Sequence, residues 1–255
     1  MVFPLYDDNT DRHTTPFVNY AIIALNIFVF VVLQRLGTDT NFTYSFSTVP
    51  AEIVSGTDIT TPARVVEYMG QRVLVPGLGP TWPSVYVTLF TSMFMHGGIA
   101  HIFGNMLFLW IFGDNIEDRL GHVKYVIFYL LCGLLASLAH VFATAAMAGQ
   151  REDMLVPSLG ASGAISGVLG GYILLHPTRR VRVLLFNFIT QVPAFVAIGI
   201  WFVFQLISGL GMLGEGSQSG GVAYAAHIGG FIAGLVLIKF FDMGNNPRSS
   251  AFSRG

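Results

Sequence analysis

Charge is what this 255-residue chain has least of. Lys, Arg, Asp and Glu make up 11% of it while apolar residues make up 53%, against roughly a quarter charged in an average soluble domain. Long uncharged runs on so little charge argue for a polytopic membrane protein rather than a globule with an oily core. A formal net charge of −1 leaves no electrostatic footprint for nucleic acid and no polybasic anchor. The single cysteine, Cys132, lies inside an apolar run, which excludes an intrachain disulfide and any Cys/His metal cluster. A His-Glu-x-x-His motif is absent, and no pair of aspartates falls within an apolar span, so zinc-dependent and paired-carboxylate hydrolysis are set aside. No period of roughly 20–50 residues repeats, and no second domain is visible. Glycine, by contrast, is plentiful, with 29 residues.

Apolar runs organise the chain into six expected spans. Residues 1–16 read as a polar, weakly acidic tail. Residues 17–33 form the first span, retained because Gln34-Arg35-Leu36 offers no small-residue cleavage site. A long loop, 37–84, follows; within it, residues 63–73 interleave Val65, Val66, Met69 and Val73 with Arg64, Glu67 and Arg72. That pattern predicts a short amphipathic helix at the membrane interface. The second span is 100–112, closed by a polar patch at 114–124, and the third is 125–147. The fourth, 162–176, is short and ends at Pro177, after which 183–189 is expected at the interface; the fifth is 193–213, the sixth 223–241. The expected fold is therefore all-α, a six-helix transmembrane bundle over 17–242 between an amino-terminal tail and a carboxy-terminal tail, 243–255.

Counting Lys and Arg by side of the membrane puts nine (Arg12, Arg119, Lys124, Arg179, Arg180, Arg182, Lys239, Arg248, Arg254) with the termini and four (Arg35, Arg64, Arg72, Arg151) opposite. The positive-inside rule then places both termini in the cytoplasm, as expected for a bacterial inner (plasma) membrane protein.

The stretch to explain is Gly-Ala-Ser-Gly-Ala-Ile-Ser-Gly-Val-Leu-Gly-Gly at 160–171. A helix entered at Gly160 or Ala161 puts Ser162 in the first turn, among backbone N–H groups that have no intrahelical acceptor and at the positive end of the dipole. Ionisable groups within spans are costly and mark function; here they are His101, His140 and His227, with His96 at a helix entrance. Ser162 lies 15 positions before Pro177 and His227 lies 15 before Asp242, roughly 22 Å above the cytoplasmic helix ends in each case. His101 lies 13 positions before Asp114, roughly 20 Å by the same measure. Gly163 and Gly167 on one helix and Gly230 and Gly234 on another share four-residue spacing, which predicts close backbone packing of spans four and six.

A neutral imidazole can take the proton of a serine hydroxyl. No acidic residue lies at that depth in spans four or six, so the expectation is a Ser162–His227 dyad. His101 and Asn105, four apart on one helical face, can join the Ser162 N–H as donors to an oxyanion. Ser166, one turn deeper, is the alternative hydroxyl, without unpaired helix donors beside it. His140, Asn19 and Asn26 read as helix-packing groups, and Trp201, Phe202 and Phe204 as a lipid-facing aromatic surface.

These residues resemble the rhomboid family of intramembrane serine proteases. The likeness covers nearly the whole chain and rests on His96, on His101 and Asn105 followed by Met106, on Gly160-Ala161-Ser162-Gly163, and on Ala226-His227 with Gly230 and Gly234. The resemblance implies cleavage of other proteins' transmembrane segments near the outer face, with a preference for small residues and unwound helix. It implies no metal or other cofactor, lipid bilayer and membrane-protein substrates as partners, a fifth helix acting as a gate, and a membrane-embedded platform after span one. His96 then reads as loop support, and Gly160, Gly163, Gly167, Gly230 and Gly234 as the supporting glycines. Two positions depart from the family: Trp82-Pro83 stands where a Trp-Arg pair is common, and Ser166 stands where some members stack an aromatic on the histidine. The competing readings are an inactive relative that binds transmembrane helices and a histidine-lined transporter. The first is expected to have lost its serine or histidine, and the second predicts internal repeats.

Overall fold

A computed structural model describes residues 2–68, 71–147, 153–185, 188–211 and 224–243. Its elements in chain order are β1 (Val2–Asp7), α1 (Phe17–Phe28, continued by a π-helical turn Val29–Leu33), α2 (Thr40–Ser45), α3 (Pro50–Ser55), β2 (Arg64–Tyr68), β3 (Gln71–Val75), α4 (Thr88–Thr91), α5 (Ile99–Leu120), α6 (His122–Met147), α7 (Ser162–Leu175), β4 (Arg180–Leu185), β5 (Phe188–Pro193), α8 (Ala194–Gly211) and α9 (Tyr224–Phe241). Among the described residues, three helices are long and apolar enough to cross a membrane, Ile99–Leu120, His122–Ala146 and Tyr224–Phe241. Phe17–Leu33, Ser162–Leu175 and Ala194–Ile207 are shorter apolar helices. The chain is a mostly helical, multi-pass integral membrane protein.

The all-α expectation needs correcting, because two sheets accompany the helices. Residues 63–73 form no amphipathic helix; β2 and β3 pair antiparallel, with Val65 opposite Leu74 and Glu67 opposite Arg72. Interleaved valines and charges suit a period of two as well as a turn of helix, and β-branched residues favour the strand. Residues 183–185 and 188–189, expected at the interface, belong to strands β4 and β5. Arg180-Val181-Arg182-Val183 alternates strictly, and β4 buries Val181 and Val183 while turning the arginines outward. It sits at the centre of a three-stranded antiparallel sheet, ordered β1-β4-β5.

Residues 2–16 pack onto the bundle. Beyond β1, this segment is strapped to the last turns of α5, which runs on through the polar patch expected to end it. Asp118 accepts from the backbone N–H groups of His13 and Thr14, and Asp114 accepts from Asn9 and Arg12. Helix α1 starts at Pro16 with no side-chain cap of its own. Its unpaired N–H groups at Val18 and Asn19 donate instead to the two oxygens of Glu117, at 2.9 and 2.6 Å. A fully buried carboxylate is tolerated there because orphan helix donors satisfy it. Asn19 also donates to Leu109 O and accepts from Tyr125 OH, stitching α1 to α5 and α6.

Asp7 ends β1 fully buried, accepting from Tyr172 OH at 2.6 Å and from Asn115 Nδ2 at 2.7 Å. Burial pushes its carboxyl up to about 7, and nearby Asp114 adds to the rise, against the Tyr172 hydrogen bond and Arg179, which favour the ionised form.

Long-range pairings sort the helix ends into two groups. At one end β1 pairs with β4, Arg119 forms a two-pronged ion pair with Asp242, and Lys124 donates to Phe241 O. At the other, Thr48 and Ser158 bridge, and Gln34 exchanges hydrogen bonds with the His96 backbone. Helix α7 runs through the centre, buried from Gly163 to Tyr172. Its small residues let α9 approach on one side and Cys132 of α6 press against Gly167 on another.

Candidate active site

Gly160 opens the site. Its φ of +120° suits glycine, and a Cβ there would lie 2.8 Å from both Cε1 and Nε2 of His101 and 3.6 Å from Asn105 Nδ2. Its N–H donates to Ser92 O. Helix α7 then begins at Ser162, after Ala161, with no side-chain cap. The first backbone donors of the helix are left for whatever binds beside the serine.

Ser162 Oγ lies 2.8 Å from His227 Nε2. Backbone contact between α7 and α9 makes this possible. Gly230 lies over Gly163 O and Gly234 over Gly167 O, so closely that neither α9 glycine has room for a methyl group. Ser166 is engaged elsewhere: fully buried, it donates to Ser162 O at 2.6 Å. Of the two hydroxyls weighed from sequence, only Ser162 touches the imidazole.

His101 Nδ1 accepts from the Gly97 N–H at 3.3 Å, so the neutral ring carries its proton on Nε2, the nitrogen beside Gly160. Asn105 Nδ2, on the next turn of α5, is buried without an acceptor. Two donors therefore flank the entrance to α7, one of them unspent. His96 is fully buried, neither ring nitrogen is paired, and its ring stands edge-on to His101 with centroids 5.1 Å apart. It braces the His101 ring rather than facing the cavity.

Sequence reasoning missed two residues. Gln34, at the end of the first apolar helix, holds the His96 backbone from both sides, donating to its carbonyl at 2.9 Å and accepting from its N–H at 3.0 Å. Gln205, on α8, places Oε1 2.9 Å from His227 Nδ1. A polar residue inside an apolar span was the available signal for Gln205, and carboxylates alone were sought at that level. The aromatic surface on α8 also divides: Trp201 approaches His227 and Phe231, Phe202 stacks on Phe231 at 4.2 Å, and Phe204 is exposed.

A small cavity adjoins Ser162. Its walls are small, with Gly133, Ala136, Ser137 and Ala164 among them, and Met93 at one side.

A rhomboid domain model matches residues 83–242, more than half of the chain. The chain belongs to the rhomboid family. Among its relatives, Rhomboid protein 1, mitochondrial, of Saccharomyces cerevisiae is 33% identical over 150 residues, covering 59% of this chain and 40% of that protein. Rhomboid protease GluP of Bacillus subtilis is 26% identical over 240 residues, covering 94% of this rhomboid and 37% of GluP. RHOMBOID-like protein 1 of Arabidopsis thaliana is 29% identical over 174 residues, 64% of this chain and 39% of that one. The chain thus spans about two fifths of the length of these rhomboid relatives.

Proposed function

We propose that this rhomboid is a serine endopeptidase that cuts transmembrane segments of other membrane proteins. The observation that carries the reading is the 2.8 Å contact between Ser162 Oγ and His227 Nε2 at the uncapped start of α7. Nε2 takes the hydroxyl proton as Oγ attacks the scissile carbonyl carbon, and the carbonyl π electrons move to oxygen. The oxyanion meets the Ser162 N–H, His101 Nε2–H and Asn105 Nδ2–H. Collapse expels the new amine, protonated by His227, and leaves an ester on Ser162. Water, losing its proton to His227, then hydrolyses the ester and frees the serine. The small-walled cavity beside Ser162 fits a short side chain at the cut. Neither step calls on a metal or other cofactor.

The topology belongs to the same proposal: six crossings, with α1, α5, α6, α7, α8 and α9 as the spans. Pairing of β1 with β4, and of Arg119 with Asp242, supports a common side for the amino-terminal segment and the ends of α5, α7 and α9. The charge count makes that side cytoplasmic, although Arg151, Arg248 and Arg254 in it, the 215–221 loop and residues 244–255 lie outside the described residues. The site then opens toward the outer face. The bilayer and membrane-protein substrates are the partners this reading requires.

The test is purified protein in detergent with a single-span substrate, comparing wild type with Ser162→Ala and His227→Ala. Cleavage by wild type alone is expected; equal cleavage by all three defeats the proposal. A fluorophosphonate probe is expected to label wild type and not Ser162→Ala, and label that follows Ser166 instead would overturn the choice of nucleophile.

A further inference from the structure

We infer that Gln205 is a positioning residue that fixes the tautomer and orientation of His227, so that the base is assembled from three helices rather than two. The inference rests on the proposed Ser162–His227 chemistry and extends it to α8. For the Ser162 hydroxyl to donate to Nε2, that nitrogen must present its lone pair, so the proton of the neutral ring sits on Nδ1. An Nδ1–H within a span needs an acceptor, and Gln205 Oε1 stands 2.9 Å away.

Among the described residues, the other groups around the ring do not take that place. Trp201 lies 6.2 Å off, centroid to centroid, and its indole only donates; Tyr224 presents a ring at 6.4 Å, nearly perpendicular. From α7, Ser166 is too small to stack on the imidazole; its hydroxyl proton goes to Ser162 O, while the ring nitrogens of His227 meet Gln205 and Ser162. Among the described residues, the titratable groups beside His227 are His101 on α5, His140 on α6 and Tyr224 on its own helix, and neither histidine can become an anion in the accessible range. Without Gln205, no acceptor for Nδ1–H stands among the described residues. The ring then relieves that lack by rotating or by moving the proton to Nε2, where it blocks proton transfer from Ser162. A neutral amide orients the imidazole but adds no negative charge, so the imidazolium formed during attack gains only a dipole.

This predicts a definite pattern in the rate of fluorophosphonate labelling of detergent-purified full-length protein. Gln205→Leu should lose about tenfold in rate, the cost of one buried hydrogen bond, with kcat falling and KM unchanged on a single-span substrate. Gln205→Glu restores the acceptor and brings an anion to the ring, so labelling should recover above neutral pH, and the acid limb of the pH–rate profile should move to higher pH. A purely structural role for Gln205 would leave that limb where it is. Wild-type rate and pH profile in Gln205→Leu, with Ser162→Ala unlabelled, overturns the role of Gln205 and leaves the protease reading standing. Ser162→Ala labelled like wild type overturns that reading itself. If Gln205→Leu does not fold, the nearly isosteric Gln205→Glu decides: a profile superimposed on wild type refutes the proposal.

Discussion

The contact between α7 and α9 can be tested by one methyl group. A Cβ added at Gly230 would lie 3.0 Å from the carbonyl carbon of Gly163, nearer still to its oxygen, and 3.2 Å from Ala136 Cβ. Ordinary carbon–carbon contact begins at about 3.5–4.0 Å. The obstacle is backbone and cannot turn aside, so α9 must retreat from α7 by roughly 1 Å. Gly230 is three residues from His227, and Gly163 adjoins Ser162, so that retreat acts on the proposed catalytic contact itself. The 2.8 Å Ser162–His227 bond would stretch toward roughly 4 Å, beyond hydrogen-bond reach. A misplacement of that size costs about a hundredfold in rate, and the overpacking destabilises the bundle by about 1–3 kcal/mol. The assay pairs thermal unfolding in detergent with fluorophosphonate labelling, measured well below the melting transition. Gly199→Ala on α8 is the control, since a Cβ there meets nothing within 4 Å. It should label at the wild-type rate. Wild-type labelling by Gly230→Ala would refute the claim that a glycine seam sets the distance between nucleophile and base.

Other outcomes follow from the same geometry. Asn105→Ala removes the unspent donor beside Ser162 and should lower kcat by about 10²–10³ with little change in KM; single-turnover cleavage separates the two. Gly160→Ala places a methyl 2.8 Å from His101 Nε2 at a φ of +120°, so it should impair labelling while Gly104→Ala, which meets nothing within 4 Å, should not. Asp7 holds its proton more tightly when folded, from a usual 3.8 to about 7. Its contribution to stability is therefore full below its unfolded value and is lost as pH rises through about 7. Asp7→Asn should unfold like wild type in acid and be the more stable protein in alkali, by a few kcal/mol; parallel melting curves across that range would contradict the assignment. Glu117→Ala strips the donors at Val18 and Asn19 of their shared acceptor and should cost at least about 1–3 kcal/mol, read as a drop in melting temperature.

Local pattern carried much of this protein. Uncharged runs located the helices, because burying backbone in lipid demands intrasegment hydrogen bonds and apolar side chains. The four-residue spacing of Gly163 and Gly167, and of Gly230 and Gly234, was legible because a bare helical face is a property of one helix at a time. So was the placement of Ser162 at a helix start, which depends only on where the run begins. The sheets were not legible in this way. Residues 63–73 satisfy two periods at once, and the first residues look like a tail until β4 arrives beside β1 from more than 170 positions away and Asp114, Asn115 and Asp118 take up their polar groups. Nor did any local pattern connect Gln205 with His227. Which face of α8 meets α9 is settled by packing of Trp201 and Phe202 against Phe231, and a glutamine within an apolar helix shows its partner only once that face is chosen. Sequence alone determined where the rods lie and which of their edges are bare. Tertiary structure decided which polar atoms face one another, because hydrogen bonds between helices depend on rotation and depth that no single helix encodes.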